Sequence, residues 1–243
     1  MRPGLAIEEV LPLLRTLAAT DAVLIGGQAL QVWCDRYASA VADLRSVAPF
    51  TSGDVDVQGD RRVVEVCAQS FAVRPAFPTS FEDATNVGYL EVSIGAVPVG
   101  VNVLTSPYGI DAREAMATAR MVDLGDGSWI RVLHPVLCME SRIANVGGLG
   151  RTSAKELHQA RASILCARAL IAEVAASEPR AALDLSERVF RYARKNLAAR
   201  KAFREHGLDT FDAIEAHPGL PDAFVRTRLP QMRSIIASSR RAD

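Results

Sequence analysis

Two stretches decide how this chain is read: Leu24-Ile25-Gly26-Gly27-Gln28-Ala29-Leu30 and Thr51-Ser52-Gly53-Asp54-Val55-Asp56-Val57. The first has the form of a strand end, a diglycine turn and a helix start. The second has the form of a short strand carrying two carboxylates two residues apart. Residues i and i+2 of a strand point to the same face. Asp54 and Asp56 therefore project together and are placed to grip one hard cation or a pair of them. A glycine turn that opens a helix offers backbone N–H groups to a phosphate. A phosphate cradle beside a carboxylate pair suited to Mg²⁺ is the equipment of phosphoryl or nucleotidyl transfer.

Composition bounds this reading without sharpening it. At 243 residues the chain has room for two small domains or one larger one. Its 49% hydrophobic and 23% charged content are those of an ordinary globular protein. Lys+Arg and Asp+Glu both number 28, so no global charge points to nucleic acid and only local charge can. Cys34, Cys67, Cys138 and Cys166 are widely spaced and form no CxxC or Cys/His cluster. They are expected to be buried reduced thiols rather than zinc ligands or disulfides. Met1-Arg2-Pro3-Gly4 leads into an acidic amphipathic segment rather than an apolar run, so no signal peptide is expected. No segment approaches the roughly 20 apolar residues of a membrane span. The expected location is the cytoplasm, with no membrane partner.

Working outward, apolar spacing predicts a helix over Ile7 to Ala18, a strand over Ala22 to Ile25 and a helix over Gln28 to Tyr37. Ala40 to Gly53 reads as a loop or a further short helix with a linker. Asp54 to Val57 reads as a strand and Arg61 to Phe71 as a helix. Tyr89 to Ile94 and Val97 to Leu104 predict a hairpin across Gly95-Ala96. Met121 to Leu124 and Trp129 to Leu133 predict a second, across Gly125-Asp126-Gly127. From Pro135 glycine thins and alanine rises. Helices are predicted over Pro135 to Asn145, Ser153 to Ala176, Pro179 to Glu205 and Pro221 to Ser238. The domains expected are an α/β front, 1–134, and an all-helical back, 135–243.

The order strand, Gly-Gly, helix, loop, Ser-x-Asp-Val-Asp-Val resembles the nucleotidyltransferase superfamily with the polymerase β-like fold. The match covers Ile25–Gly27 and Asp54–Val57, with Ser52 at a commonly polar position. The resemblance implies an α/β (α+β) nucleotidyltransferase core with a mixed sheet, followed by an all-helical C-terminal domain. It implies Mg²⁺-dependent transfer of a nucleoside monophosphate from an NTP to an acceptor. Asp54 and Asp56 would hold Mg²⁺ against the triphosphate, and Gly26 and Gly27 would let backbone amides approach the β- and γ-phosphates. A third carboxylate, from a neighbouring strand, would complete the set. The matching strand, Val99-Gly100-Val101-Asn102-Val103-Leu104, carries Asn102 there instead. Three readings follow: Asn102 is a weak ligand, Glu91 on the preceding strand substitutes for it, or the chain binds nucleotide without efficient transfer.

The run Val132-Leu133-His134-Pro135-Val136-Leu137-Cys138-Met139-Glu140-Ser141-Arg142-Ile143-Ala144-Asn145, followed by Lys155 and a long helix, resembles AbiEii-type nucleotidyltransferases. These are toxins of abortive-infection and toxin–antitoxin systems. The resemblance implies a lysine on the nucleotide phosphates. Lys155 is the nearest candidate, followed by Glu156 where relatives carry Asp, with Arg142 close by in sequence. It also implies a tRNA end or a protein as acceptor, and an antitoxin protein as partner. The alternatives are transfer to an antibiotic or other small molecule, and a catalytically degenerate nucleotide- or partner-binding protein.

One charge feature stands apart. Arg188, Arg191, Arg194, Lys195, Arg200, Lys201 and Arg204 follow one another with no acid among them. On one continuous helix 188, 191 and 195 share a face, and 194 and 201 share another. Phe190, Tyr192 and Phe203 are interleaved, and Arg240-Arg241 add charge at the tail. This is the pattern of an RNA-phosphate surface, here for tRNA.

Overall fold

Strand β2 (Asp54–Gln58) buries Val55 and Val57 completely and leaves Asp54 and Asp56 half-exposed, as the alternation of its sequence requires. The other strands are β1 (Val23–Ile25), β3 (Asn86–Ile94), β4 (Val97–Leu104), β5 (Arg120–Asp123) and β6 (Trp129–Val132). They form a six-stranded mixed sheet in the order β3-β4-β2-β1-β6-β5. β1 runs antiparallel to β2 and parallel to β6, and β2 runs parallel to β4. β3 with β4, and β5 with β6, are antiparallel hairpins. The structure, a computed structural model, describes residues 5–46, 52–79 and 85–241. It is a mixed α/β protein with mostly helical content. Met1–Gly4 and Thr51, which the sequence reading invokes, lie outside the described residues.

The chain divides into two units, Met1–Asp35 with Pro49–Cys138, and Arg36–Ala48 with Met139–Asp243. In the first unit, one face of the sheet is lined by Leu24, Val55, Val57, Leu90, Val92, Val99, Val101 and Val103, each no more than 1% exposed. Two helices, α1 (Ile7–Ala18) and α4 (Arg61–Ser70), touch β6, β3 and each other on this side. Helix α1 contributes Val10, Leu13, Leu14 and Leu17, and α4 contributes Val63, Val64 and Cys67. Each such side chain removed from water contributes about 1.5–3 kcal/mol. The start of α1 carries Glu8 and Glu9, and Glu9 Oε2 accepts from the Ala6 N–H at 2.6 Å, which satisfies one donor of the first turn. Asp60 caps α4 by accepting from the Val63 N–H at 3.3 Å.

Helix α2 (Gly26–Tyr37) leaves β1 directly. Trp33, 1% exposed, donates its Nε1–H to the Leu133 carbonyl at 2.8 Å and so fixes α2 to the chain just after β6. A short helix, α3 (Ala42–Ser46), follows. Helix α5 (Ala112–Thr118) is not among the expected elements; its N-cap Asp111 accepts from the Glu114 N–H at 2.9 Å. The Asp-x-x-Glu spacing was its available signal.

The second unit is helical: α6 (Pro135–Gly147) crosses into it, and α7 (Ala154–Ser177), α8 (Pro179–Lys195), α9 (Leu197–His206) and α10 (Leu229–Arg241) lie within it. The single helix expected over Pro179 to Glu205 is two helices. Asn196 adopts an extended backbone (φ −77°, ψ 125°) and its side chain accepts from the Ala199 N–H at 3.1 Å, capping α9. The helix expected from Pro221 starts with a π-helical turn, Phe224–Arg228, just before Pro230, which has no N–H to continue the ladder. A short 3-10 helix, Thr210–Ala213, lies between. Cys34, Cys67, Cys138 and Cys166 are buried thiols outside any disulfide, as expected, and burial pushes the Cys67 thiol up to about 11. Among the described residues no helix is long and apolar enough to cross a membrane.

Candidate functional site

The face of the sheet opposite the valine layer carries the chemistry. Residues paired across neighbouring strands project to the same face. Asp56 pairs with Ile25 on β1 and Asn102 on β4, and Asn102 pairs with Tyr89 on β3. This gives one row: Ile25, Asp56, Asn102, Tyr89. Asp54 pairs with Gly100, and Gly100 with Glu91, which gives the next: Asp54, Gly100, Glu91. The two carboxylates expected to point together do so, and the strand expected to bring the third group is the immediate neighbour of theirs.

The glycine turn meets this row. Gly26 has φ +68°, a left-handed conformation that any Cβ strains. A Cβ there would also lie 2.8 Å from the Asp56 Cβ and 3.0 Å from its Cγ, with Oδ2 nearer still. Glycine is therefore required twice over, by backbone conformation and by the approach of the carboxylate. On its other side Asp56 is held by Asn102, whose Nδ2–H donates to Oδ1 at 2.8 Å. The Asp56 carboxylate thus sits between an amide donor and the Gly26 turn. Where a carboxylate was expected from the family pattern, this chain has a hydrogen-bond donor that orients Asp56.

Glu91 is exposed and lies two strands from Asp54, about 10 Å backbone to backbone at ordinary strand spacing. The residue between them is Gly100, which has no side chain to cross. Among the described residues no group of three or more His, Cys, Asp or Glu side chains is gathered to hold a metal ion. On this face β2 presents the Asp54 and Asp56 carboxylates, with the Asn102 amide beside Asp56. Two carboxylates on one strand face are the hard-oxygen set that suits Mg²⁺.

Gly27 is buried behind Gly26. Ser52 is buried too, and its carbonyl accepts from the Leu5 N–H at 3.0 Å and from Gln28 Nε2 at 3.5 Å. Gln28, fully buried, also donates to the Leu5 carbonyl at 3.3 Å. It ties the first turn of α2 to the segment leading into β2, and so holds the two halves of the signature in register. Gln28 and Tyr89 are not among the site residues expected from the sequence. Tyr89 was discoverable from the period of two across the β3–β4 hairpin.

The remaining residues belong to the second unit. Lys155 is exposed in the first turn of α7, whose cap Ser153 accepts from the Glu156 N–H at 3.3 Å and donates to Glu156 Oε2 at 2.9 Å. Arg142 is half-buried on α6. Among the basic residues, Arg191, Arg194 and Lys195 are exposed on α8, while Arg200 and Lys201 are half-buried on α9. The break at Asn196 removes the single helix on which 194 and 201 were to share a face. Arg188 is committed elsewhere: Nε and Nη2 donate to the two Glu140 carboxylate oxygens, both at 2.7 Å. Tyr192 donates its hydroxyl to the Glu140 carbonyl at 2.9 Å, and burial raises its pKa. Phe190 is buried and packs edge-on against Phe211. These two rings are core and bonding groups rather than base-stacking platforms. No known protein family matches the chain, and no curated protein matches it.

Proposed function

We propose that this protein is a Mg²⁺-dependent nucleotidyltransferase, moving a nucleoside monophosphate from an NTP to an acceptor hydroxyl. The observation that carries the reading is the meeting of three separate stretches at one row: the Gly26 turn, the Asp54/Asp56 strand face and Asn102. In the reaction the acceptor oxygen attacks the α-phosphorus and a new P–O bond forms. The α–β bridge breaks, pyrophosphate leaves, and the hydroxyl proton passes to solvent or a nearby carboxylate. Mg²⁺ held by Asp54 and Asp56 would neutralise the triphosphate and lower the pKa of the attacking hydroxyl. The chain's own residues do the rest. Gly26 and Gly27 let backbone N–H groups approach the β- and γ-phosphates, with no side chain in the way. Asn102 holds Asp56 in one orientation, so its second oxygen faces the turn. Glu91, on the same face across Gly100, is the candidate to receive the acceptor proton. For Lys155 and Arg142 a phosphate-binding role rests on the AbiEii resemblance alone.

By the AbiEii resemblance the acceptor is a tRNA end or a protein, and the activity arrests growth until an antitoxin protein restrains it. Exposed Arg191, Arg194 and Lys195 support a tRNA acceptor. A second reading, a nucleotide-binding protein without efficient transfer, is favoured by one observation: Asn102 brings no negative charge to the row.

Asn102→Asp separates the two readings. The purified protein is incubated with Mg²⁺ and each α-³²P-labelled NTP, against total tRNA, a protein lysate and a panel of aminoglycosides. A transferase labels one acceptor class, and the variant raises the rate roughly tenfold or more by adding a charged ligand beside Asp56. Label from neither protein removes the transferase reading. Label from the variant alone establishes the degenerate one.

A further inference from the structure

We propose that Tyr89 forms the acceptor subsite and stacks on the nucleobase beside the attacking hydroxyl. This rests on the nucleotidyl-transfer reading with its tRNA acceptor, and adds where that acceptor sits. In-line displacement puts the attacking oxygen opposite the leaving pyrophosphate, across the α-phosphorus. The row on the sheet face runs Ile25, Asp56, Asn102, Tyr89. Gly26, next to Ile25 in the chain, marks the end at which the β- and γ-phosphates lie in that reading. The acceptor therefore enters from the opposite end, where the side chain is Tyr89. Asp56 and Tyr89 stand two strands apart, roughly 10 Å backbone to backbone, about the length of one nucleoside.

The surroundings of Tyr89 leave its ring available. The residue is half-buried, and among the described residues its hydroxyl has no hydrogen-bond partner. Its ring meets no other aromatic ring and no guanidinium among them either. Its cross-strand neighbour Asn102 is engaged with Asp56, and the diagonal neighbour Gly100 has no side chain. On the outer edge of β3 the Tyr89 N–H donates to the Ala76 carbonyl at 2.8 Å, and its carbonyl accepts from the Ala76 N–H at 2.7 Å. The next side chain in the row is therefore only the exposed methyl of Ala76. The backbone of Tyr89 is fixed while the side chains around its ring stay small. A ring held in that way is a platform for another planar ring, and every nucleobase offers one. Phe190 and Tyr192 of α8 are committed to core and bonding contacts. The aromatic platform expected beside the arginines is supplied by the sheet instead.

The test has two readouts on the full chain: transfer of label from an α-³²P-labelled NTP to a tRNA transcript, and binding of the fluorescent transcript in EDTA without NTP. Tyr89→Leu keeps apolar bulk on the strand and removes the ring. It raises the KM for tRNA and weakens binding about tenfold, while the KM for NTP stays in place. Tyr89→Phe keeps the ring and rescues both. A transcript whose 3′-terminal nucleotide lacks its base loses the same factor with the unsubstituted protein and nothing further with Tyr89→Leu. A tyrosine that serves only the fold would shift the melting temperature and leave these ratios alone. The proposal is overturned if the unsubstituted protein binds no transcript, or if Tyr89→Leu binds it equally well, even where transfer is intact. Binding that depends on the Tyr89 ring, without any transfer, supports the stacking and removes the transferase reading instead. Label on the protein itself that Tyr89→Phe abolishes would make the hydroxyl the acceptor and overturn the stacking.

Discussion

Asp56→Ala is expected to lower Mg²⁺-dependent transfer on the order of 10³-fold or more, while the protein still unfolds cooperatively. The change removes one of the two carboxylates that β2 presents on the face and the acceptor of the Asn102 amide. Asp56 is half-exposed, so the freed Asn102 amide can turn to water and the fold loses little. The activity loss is therefore a loss of charge and not of structure. Asp54→Ala should behave alike, since it removes the other carboxylate of the same strand face. Initial rates with labelled NTP, set beside a thermal melt of each variant, check this. A rate within a few-fold of the unsubstituted protein, with the melt unchanged, would detach the carboxylate pair from the chemistry.

The largest expected effect on stability lies at Arg188. Its two-pronged bond to Glu140 meets a carboxylate whose side chain is only 6% exposed, while the arginine itself is 30% exposed. Arg188→Ala leaves that carboxylate buried without its guanidinium. Breaking such a pair from one side costs roughly 3 kcal/mol, about a hundredfold in the folded-to-unfolded ratio. Replacing both partners together, Arg188→Leu with Glu140→Leu, should recover most of the loss, because the desolvation of two charges goes with them. Urea unfolding of the three proteins measures both numbers. A single-variant loss below about 0.5 kcal/mol would return Arg188 to the class of solvated helix arginines.

The front of the chain was legible because its signals are local. Alternation in Asp54–Gln58 and Val97–Leu104, and glycine punctuation at Gly95 and Gly125, mark strands and turns over a few residues. The face shared by Asp54 and Asp56 followed from the period of two alone. The neighbourhood of β2 and β4 came from resemblance, and the hydrogen bond from Asn102 to Asp56 joins residues 46 apart in sequence, beyond what local spacing reports. In the helical half, composition hid the break at Asn196: the apolar period runs through it, although asparagine is a preferred cap. Gly147 shows a further limit. The helix expected to end at Asn145 runs on to Gly147, where a Cβ would lie 2.7 Å from the Ala198 carbonyl carbon of α9. Close approach of two backbones, rather than a turn, requires that glycine. Arg188 was read by its sign as part of a surface, when its partner forty-eight positions earlier takes both of its prongs.

The central claim is that Asp54 and Asp56 hold a divalent cation at a nucleotide site. Mn²⁺ binding, followed by electron paramagnetic resonance with and without a non-hydrolysable NTP analogue, tests it most directly. The expected result is saturable Mn²⁺ binding that tightens with the nucleotide and is lost in Asp54→Asn and Asp56→Asn. Mn²⁺ binding that is absent from the unsubstituted protein, or that persists unchanged in both variants, would contradict it.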